Sequence, residues 1–190
     1  MSTNHLAHHL RALEAAGLIR RVRSEGDQRR TYVQLVLDDP LVTALTAPAD
    51  TGLNSAAERV VFVCTRNSAR SQLAAAAWAR ASTIPGTSAG THPATRVHPR
   101  AVRVGRRHGL NLDATRTADL VDVARPGDLL VAVCDNAHEE LLPGQARLHW
   151  AVPDPVRLDT EQAFETAYEQ ITQRVDRLAH AFHNDVGSTP

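Results

Sequence analysis

The densest chemistry in the chain lies in Val63-Cys64-Thr65-Arg66-Asn67-Ser68-Ala69-Arg70-Ser71, where Cys64 and Arg70 close a Cys-x5-Arg loop. The loop follows the apolar run Val60-Val61-Phe62-Val63 and precedes a stretch with helical composition, Ser71 to Ser82. At the end of a parallel strand that runs into a helix N-terminus, unpaired backbone N–H groups and the helix dipole favour an anion. A five-residue loop can wrap the amides of Thr65, Arg66, Asn67, Ser68, Ala69, Arg70 and Ser71 around one tetrahedral oxyanion, with the Arg70 guanidinium clamping two oxygens. The same amides and the Ser71 hydroxyl stabilise Cys64 as a thiolate, which makes it the candidate nucleophile. Dinucleotide binding does not fit, because no Gly-x-Gly-x-x-Gly follows the strand. A Walker loop does not fit either, since all 21 basic residues are arginine.

The elements that position this loop read as an alternation. Val60 to Val63 is a strand, followed by the helix at Ser71 to Ser82 and a short strand near Thr87 to Ala89. A helix over Arg100 to His108, strands at Asp128 to Val133 and Ala146 to Ala151, and a closing helix from Thr160 to His183 complete the set. Alternating strands and helices predict an α/β fold, a doubly wound parallel four-stranded sheet with helices on both faces. Before it, residues 1–38 form a separate unit: a helix with Ser2 or Thr3 as N-cap and Leu6, Leu10 and Leu13 on one face, a stop at Gly17, then a hairpin of Leu18–Arg23 and Arg30–Leu35. Residues 39–57, rich in Ala, Thr, Pro, Asp and Gly, read as a linker with one short helix at Leu41 to Leu45; 58–184 is the main domain and 185–190 a tail.

The 190 residues suffice for one medium domain and an appendage, and 43% hydrophobic content suffices for a core. Two cysteines cannot frame a disulfide scaffold, and neither an apolar run of membrane length nor a signal core is present, so a soluble, cytoplasmic protein with no membrane partner is expected. Net charge is zero, with 21 basic against 21 acidic residues, which argues against a nucleic-acid coat while leaving local basic patches open. The ten histidines include His5, His8 and His9, but no cysteine sits near them and no metal or bound cofactor is expected.

The second domain resembles the low-molecular-weight protein tyrosine phosphatase superfamily, in its arsenate reductase branch. Cys-x-x-Asn-x-x-Arg-Ser at Cys64–Ser71 matches the phosphatase loop, and Ser71-Gln72-Leu73-Ala74 resembles the Ser-Gln-Met-Ala of the reductases. Ala89-Gly90-Thr91, Val97-His98-Pro99-Arg100-Ala101, Val133-Cys134-Asp135-Asn136-Ala137 and His149-Trp150-Ala151-Val152-Pro153-Asp154-Pro155 follow in family order. The resemblance implies that Asp154 is the general acid, protonating the oxygen that leaves as Cys64 attacks phosphorus or arsenic. Phosphate ester hydrolysis needs one thiolate, whereas reduction of As(V) needs two electrons from further thiols, so Cys134 is the candidate second thiol. In the thioredoxin-coupled relatives a third cysteine follows about seven residues on, where this chain has Leu141. Two outcomes stay open: a Cys64–Cys134 disulfide, or a mixed disulfide of Cys64 with a low-molecular-weight thiol, resolved by an external redoxin. Ala75, in place of a glutamate, and Arg66, in place of a glycine, depart from the family's pattern.

The first 19 residues resemble the recognition helix of arsenic-responsive winged-helix repressors, with the hairpin as wing. That implies base contacts from Ser2, Thr3, Asn4 and His5 and phosphate contacts from Arg20, Arg21 and Arg23, or else a structural unit that pairs two copies as a homodimer. The readings carried forward are arsenate reduction with an external thiol or redoxin as electron donor, phosphotyrosine hydrolysis, and an arsenic-linked DNA-binding regulator with a vestigial catalytic domain.

Overall fold

A computed structural model describes residues 3–45, 57–142 and 147–184, and the backbone falls into two compact units, Met1–Thr51 and Gly52–Pro190. Ser2, one of the two N-cap candidates, the linker stretch 46–56 and the tail 185–190 lie outside the described residues.

In the first unit, α1 (Thr3–Ala15) leads to an antiparallel hairpin of β1 (Ile19–Arg23) and β2 (Thr31–Leu35), and then to α2 (Pro40–Leu45). Gly17 has φ 74°, and next to it the Leu18 amide bonds the Leu13 carbonyl at 3.0 Å, so the helix ends where a residue without Cβ can turn left-handed. In the hairpin turn Asp27 takes the Arg29 guanidinium at 2.9 Å and Arg30 at 3.6 Å. Asp39 starts α2 by accepting the Leu41 amide at 2.8 Å.

The second unit is built on a parallel sheet in the order β4-β3-β5-β6, comprising β3 (Arg59–Cys64), β4 (Gly86–Gly90), β5 (Asp128–Ala132) and β6 (Arg147–His149). Side chains alternate across β3 and create two cores. Val60 and Phe62 face α3 (Arg70–Ala81), α4 (Pro99–Arg107) and α8 (Glu161–Asn184); Val61 and Val63 face α5 (Leu120–Val123) and α6 (Asp135–Glu140). Phe62 lies between Trp78 and Trp150, with ring centroids at 5.9 and 5.5 Å, and Phe182 of α8 closes on Trp78 at 5.8 Å. Phe62 and Trp78 are fully buried, and a ring so buried contributes about 1.5–3 kcal/mol. At the end of the sheet away from the loop, Arg59 grips Asp128 through two hydrogen bonds of 2.9 and 2.7 Å and fixes the register of the two central strands.

Two details differ from the sequence reading. The strand expected over Ala146 to Ala151 ends at His149: the Trp150 amide still bonds the Ala132 carbonyl at 2.9 Å, but Ala151 takes φ 48° and breaks the extended backbone; Ala146 lies outside the described residues. Three short helices were not anticipated: α5, α6 directly after Cys134, and α7 (Pro155–Leu158) directly after Asp154. No helix among the described residues is long and apolar enough to cross a membrane.

Gly86 marks how closely β4 approaches α3. A Cβ there would lie 2.3 Å from Cδ1 of the Trp78 indole, which is fully buried and pinned by its Nε1 donating to the Ile84 carbonyl at 2.8 Å. Gly86→Ala is therefore expected to lower stability by about 1–3 kcal/mol, read as a lower urea midpoint at unchanged m-value.

Candidate active site

The loop between β3 and α3 is shaped by a strap of residues 91–98 that runs beside it. The carbonyls of Cys64, Thr65, Arg66 and Ser68 point outward and accept from the amides of Thr91, His92, Ala94 and His98 at 3.2, 2.8, 2.9 and 2.7 Å. In a trans peptide the N–H of the following residue points the opposite way, and the described chain has no cis bond, so the amides of Thr65, Arg66, Asn67 and Ala69 face the loop's interior. Asn67 holds the sharpest bend. It has φ 46°, is fully buried, donates to Ser71 Oγ at 2.9 Å, and accepts at Oδ1 from the Ala118 amide at 2.8 Å and from Gln72 Nε2 at 3.1 Å. Asparagine suits this position, since its side chain tolerates left-handed backbone and bonds locally. Gly90 of β4 packs beneath, where a Cβ would stand 2.9 Å from the Thr65 carbonyl oxygen.

Cys64 sits at the base of this cradle with its sulfur 3.0 Å from Ser71 Oγ. Because Ser71 Oγ already accepts from Asn67, its own proton is available to the sulfur. Arg70, buried in the first turn of α3, is aimed by Nη1 donating to the Val152 carbonyl at 2.9 Å and by Nη2 lying 3.3 Å from Asp154 Oδ1. Asp154 also accepts the Val156 amide at 3.2 Å, so the Asp-Pro pair both starts α7 and holds a carboxylate at the rim. Cys64, Arg66, Ser68, Ala69, Arg70 and Asp154 thus all border one cavity of about 600 Å³.

Cys134 lies beside the loop but outside that cavity. It stands two residues beyond the end of β5; the Val133 amide before it bonds the Val63 carbonyl at 2.8 Å, and its sulfur is 3.6 Å from Thr65 Oγ1. By strand geometry its backbone is one strand spacing across and one residue along from Cys64, about 4.8 and 3.3 Å. Burial pushes the Cys134 thiol up and the Cys64 sulfur adds to this, while Arg70 opposes it. Both cysteines are free. Leu141, at the end of α6, is buried in the same apolar cluster as Cys134.

The sequence reading passed over several groups at the site. The strap and α4 bring Arg96, Arg100 and Arg103 to the cavity wall, and Asp159 joins them from beyond α7. Arg100 stands in the Val97–Ala101 motif, but no local motif marks Arg96, Arg103 or Asp159; only the fold brings them to the loop. Next to Cys134, the buried Asp135 carboxylate meets His149 Nε2 at 2.8 Å, and the His149 ring stacks on His138 at 4.0 Å. Burial first, then the neighbouring His149 ring and the Arg147 guanidinium, lowers His138 to about 4. Among the described residues, no group of three His, Cys, Asp or Glu side chains is placed to hold a metal ion.

Of the residues considered for DNA contact, Ser2 lies outside the described residues and Thr3, Asn4 and His5 are on α1, where His5 is exposed. Arg20, Arg21 and Arg23 are on β1. Arg21 is ion-paired with Glu14 at 3.4 Å, and Arg20 donates to Gln34 at 3.1 Å.

A parallel four-stranded sheet with a Cys-x5-Arg loop at the end of its central strand defines an α/β protein with a cysteine-based oxyanion cradle. The chain belongs to the low molecular weight phosphotyrosine protein phosphatase family, whose model matches residues 59–188. It is 30% identical over 133 residues to the arsenate reductase of Bacillus licheniformis, covering 63% of this chain and 94% of that protein. It is 31% identical over 128 residues to the glutaredoxin arsenate reductase of Synechocystis sp., covering 64% and 95%. Among solved structures, the arsenate reductase of Archaeoglobus fulgidus matches with a TM-score of 0.57 at 27% identity, over 64% of this chain and 98% of that one.

Asn67→Ala removes three hydrogen bonds, leaves the Ala118 amide unpaired and keeps a residue poorly suited to φ 46° at the bend. The expected loss is about 2–4 kcal/mol of stability. Inorganic phosphate, which raises the melting temperature of a protein with a formed cradle, is expected to stabilise this variant much less, a shift read by differential scanning fluorimetry.

Proposed function

We propose that this protein is an arsenate reductase that works through a Cys64–Cys134 pair and depends on an external thiol. The observation that carries the reading is the position of a second buried thiol, Cys134, one strand over from Cys64 and 3.6 Å from the hydroxyl of Thr65. The curated relatives named above point the same way. Phosphate ester hydrolysis needs only one thiol, and among the described residues lining the cavity there is no Phe, Tyr or Trp to stack on a phosphotyrosine ring.

In the proposed sequence the cradle amides and Arg70 hold arsenate, and the Cys64 thiolate attacks arsenic. One arsenate oxygen departs as water, taking its proton from Asp154. The Cys134 thiolate then attacks Cys64 Sγ. A sulfur–sulfur bond forms, the sulfur–arsenic bond breaks, and its electron pair stays on arsenic, which leaves as arsenite. The two sulfurs have lost the two electrons that arsenic gained. An external thiol must return them to the disulfide before the next turnover.

Arsenite formation from arsenate with a thiol donor, followed by chromatography, tests the reading. Cys64→Ser is expected to abolish it, and Cys134→Ser to lower it by at least about 10²-fold while sparing any aryl phosphate hydrolysis, which uses Cys64, Arg70 and Asp154 alone. Equal arsenite formation by Cys134→Ser overturns the two-thiol mechanism. Because burial holds the Cys134 thiol up, its thiolate fraction is low at neutral pH and grows as pH rises. Single-turnover disulfide formation is therefore expected to accelerate from pH 7 to 9, whereas aryl phosphate hydrolysis is not.

A further inference from the structure

The cavity above Cys64 is far larger than one tetrahedral oxyanion, and its charge is unbalanced. Beyond Arg70, its wall carries Arg66, Arg96, Arg100 and Arg103, against the carboxylates Asp154 and Asp159. Arg100 is spoken for, bound to Asp159 at 2.7 Å and to Glu161 at 3.3 Å. Arg103 reaches the same Glu161 only at 3.8 Å, and that carboxylate is also held by Arg107 at 2.7 Å. Arg66 and Arg96 are exposed, and among the described residues neither has an ion-pair partner. Arsenate is already served by the loop amides and Arg70, so three guanidinium groups remain around the mouth for some other anionic group.

The position of the sulfurs says which molecule needs them. A Cys64–Cys134 disulfide has only its Cys64 end on the cavity; Cys134 is sealed among Val61, Val63 and Ala137, and Leu141 fills the place from which a third thiol could carry the disulfide outward. The reductant must therefore enter through the mouth and meet Cys64 Sγ, and a cavity of about 600 Å³ is of the size that encloses a small organic ligand.

We propose that this mouth is the binding site for a small thiol bearing carboxylate groups, held by Arg66, Arg96 and Arg103, which reduces the enzyme by attack on Cys64 Sγ. The proposal rests on the arsenate reductase reading for the source of the disulfide. In the step, the thiolate of the small molecule bonds to Cys64 Sγ, the Cys64–Cys134 bond breaks, and Cys134 departs as thiolate and takes a proton. A second molecule attacks the sulfur of the bound small thiol, freeing the Cys64 thiolate and releasing the symmetrical small disulfide. Two thiols are oxidised and the protein disulfide is reduced by the same two electrons.

The test isolates this site from arsenate. The full chain carrying Cys134→Ser is loaded at Cys64 as the neutral 2-thiopyridyl mixed disulfide, and release of 2-thiopyridone is followed with glutathione (anionic), 2-mercaptoethanol (neutral), cysteamine (cationic) or reduced thioredoxin. Rates are compared per thiolate. Glutathione is expected to exceed 2-mercaptoethanol by about tenfold, as two partly exposed ion pairs allow, with cysteamine slowest. Arg96→Glu with Arg103→Glu is expected to invert the order and favour cysteamine, an outcome that mere loosening of the fold does not produce. Rates that follow thiolate concentration regardless of charge overturn the proposal, as does thioredoxin outpacing glutathione. Because no arsenate is used, failure here is separate from failure of the reductase assay above.

Discussion

Four backbone hydrogen bonds from the 91–98 strap hold the loop carbonyls outward, and the rest of the site follows from that constraint. With the carbonyls turned away, the amides converge on one point, and Cys64 beneath that point sits in a field of donors. Asn67 completes the arrangement from inside by taking the bend that places Ser71 Oγ against the sulfur. The cradle is therefore formed before any anion arrives, which is the condition under which fixed dipoles assist a reaction without reorganising.

The alternation of β3 links this cradle to both cores. One face of the strand carries the aromatic cluster that anchors α3, the helix that supplies Arg70; the other face carries the smaller cluster that holds Cys134 and α6. Both sulfurs belong to that smaller cluster, at the ends of neighbouring strands. Cys64 also borders the cavity and meets the Ser71 hydroxyl, whereas Cys134 lies outside the cavity. The same burial that keeps it unreactive toward solvent raises its thiol.

The strands and long helices were legible in the sequence because their signals are local. Val60–Val63 is a continuous apolar run, as a strand buried on both sides must be, and Glu161–Asn184 repeats its apolar positions over many turns. The loop Cys64–Ser71 was legible for the same reason: its members are contiguous. Helices α6 and α7, with six and four residues, are too short to show a period, and β6 stops early because Ala151 adopts a left-handed backbone that nothing in its side chain announces. Arg96 and Arg103 carry no motif; they matter only because the strap and α4 fold back onto a loop about thirty residues earlier in the chain.

Leu141 has a consequence for any attempt to retrofit this enzyme. It ends α6 with its amide bonded to the Ala137 carbonyl at 3.1 Å and its side chain inside the dry cluster around Val61 and Val63. A thiol substituted there would be as inaccessible to a protein reductant as Cys134 is, and would leave a void where the leucine had been. Turning this chain into a three-thiol relay is therefore not a one-residue problem. The segment from Asp135 to Leu142 is tied down through Asp135 to His149 and through the Leu142 carbonyl to Arg147, and these ties would have to be undone before the segment could swing outward.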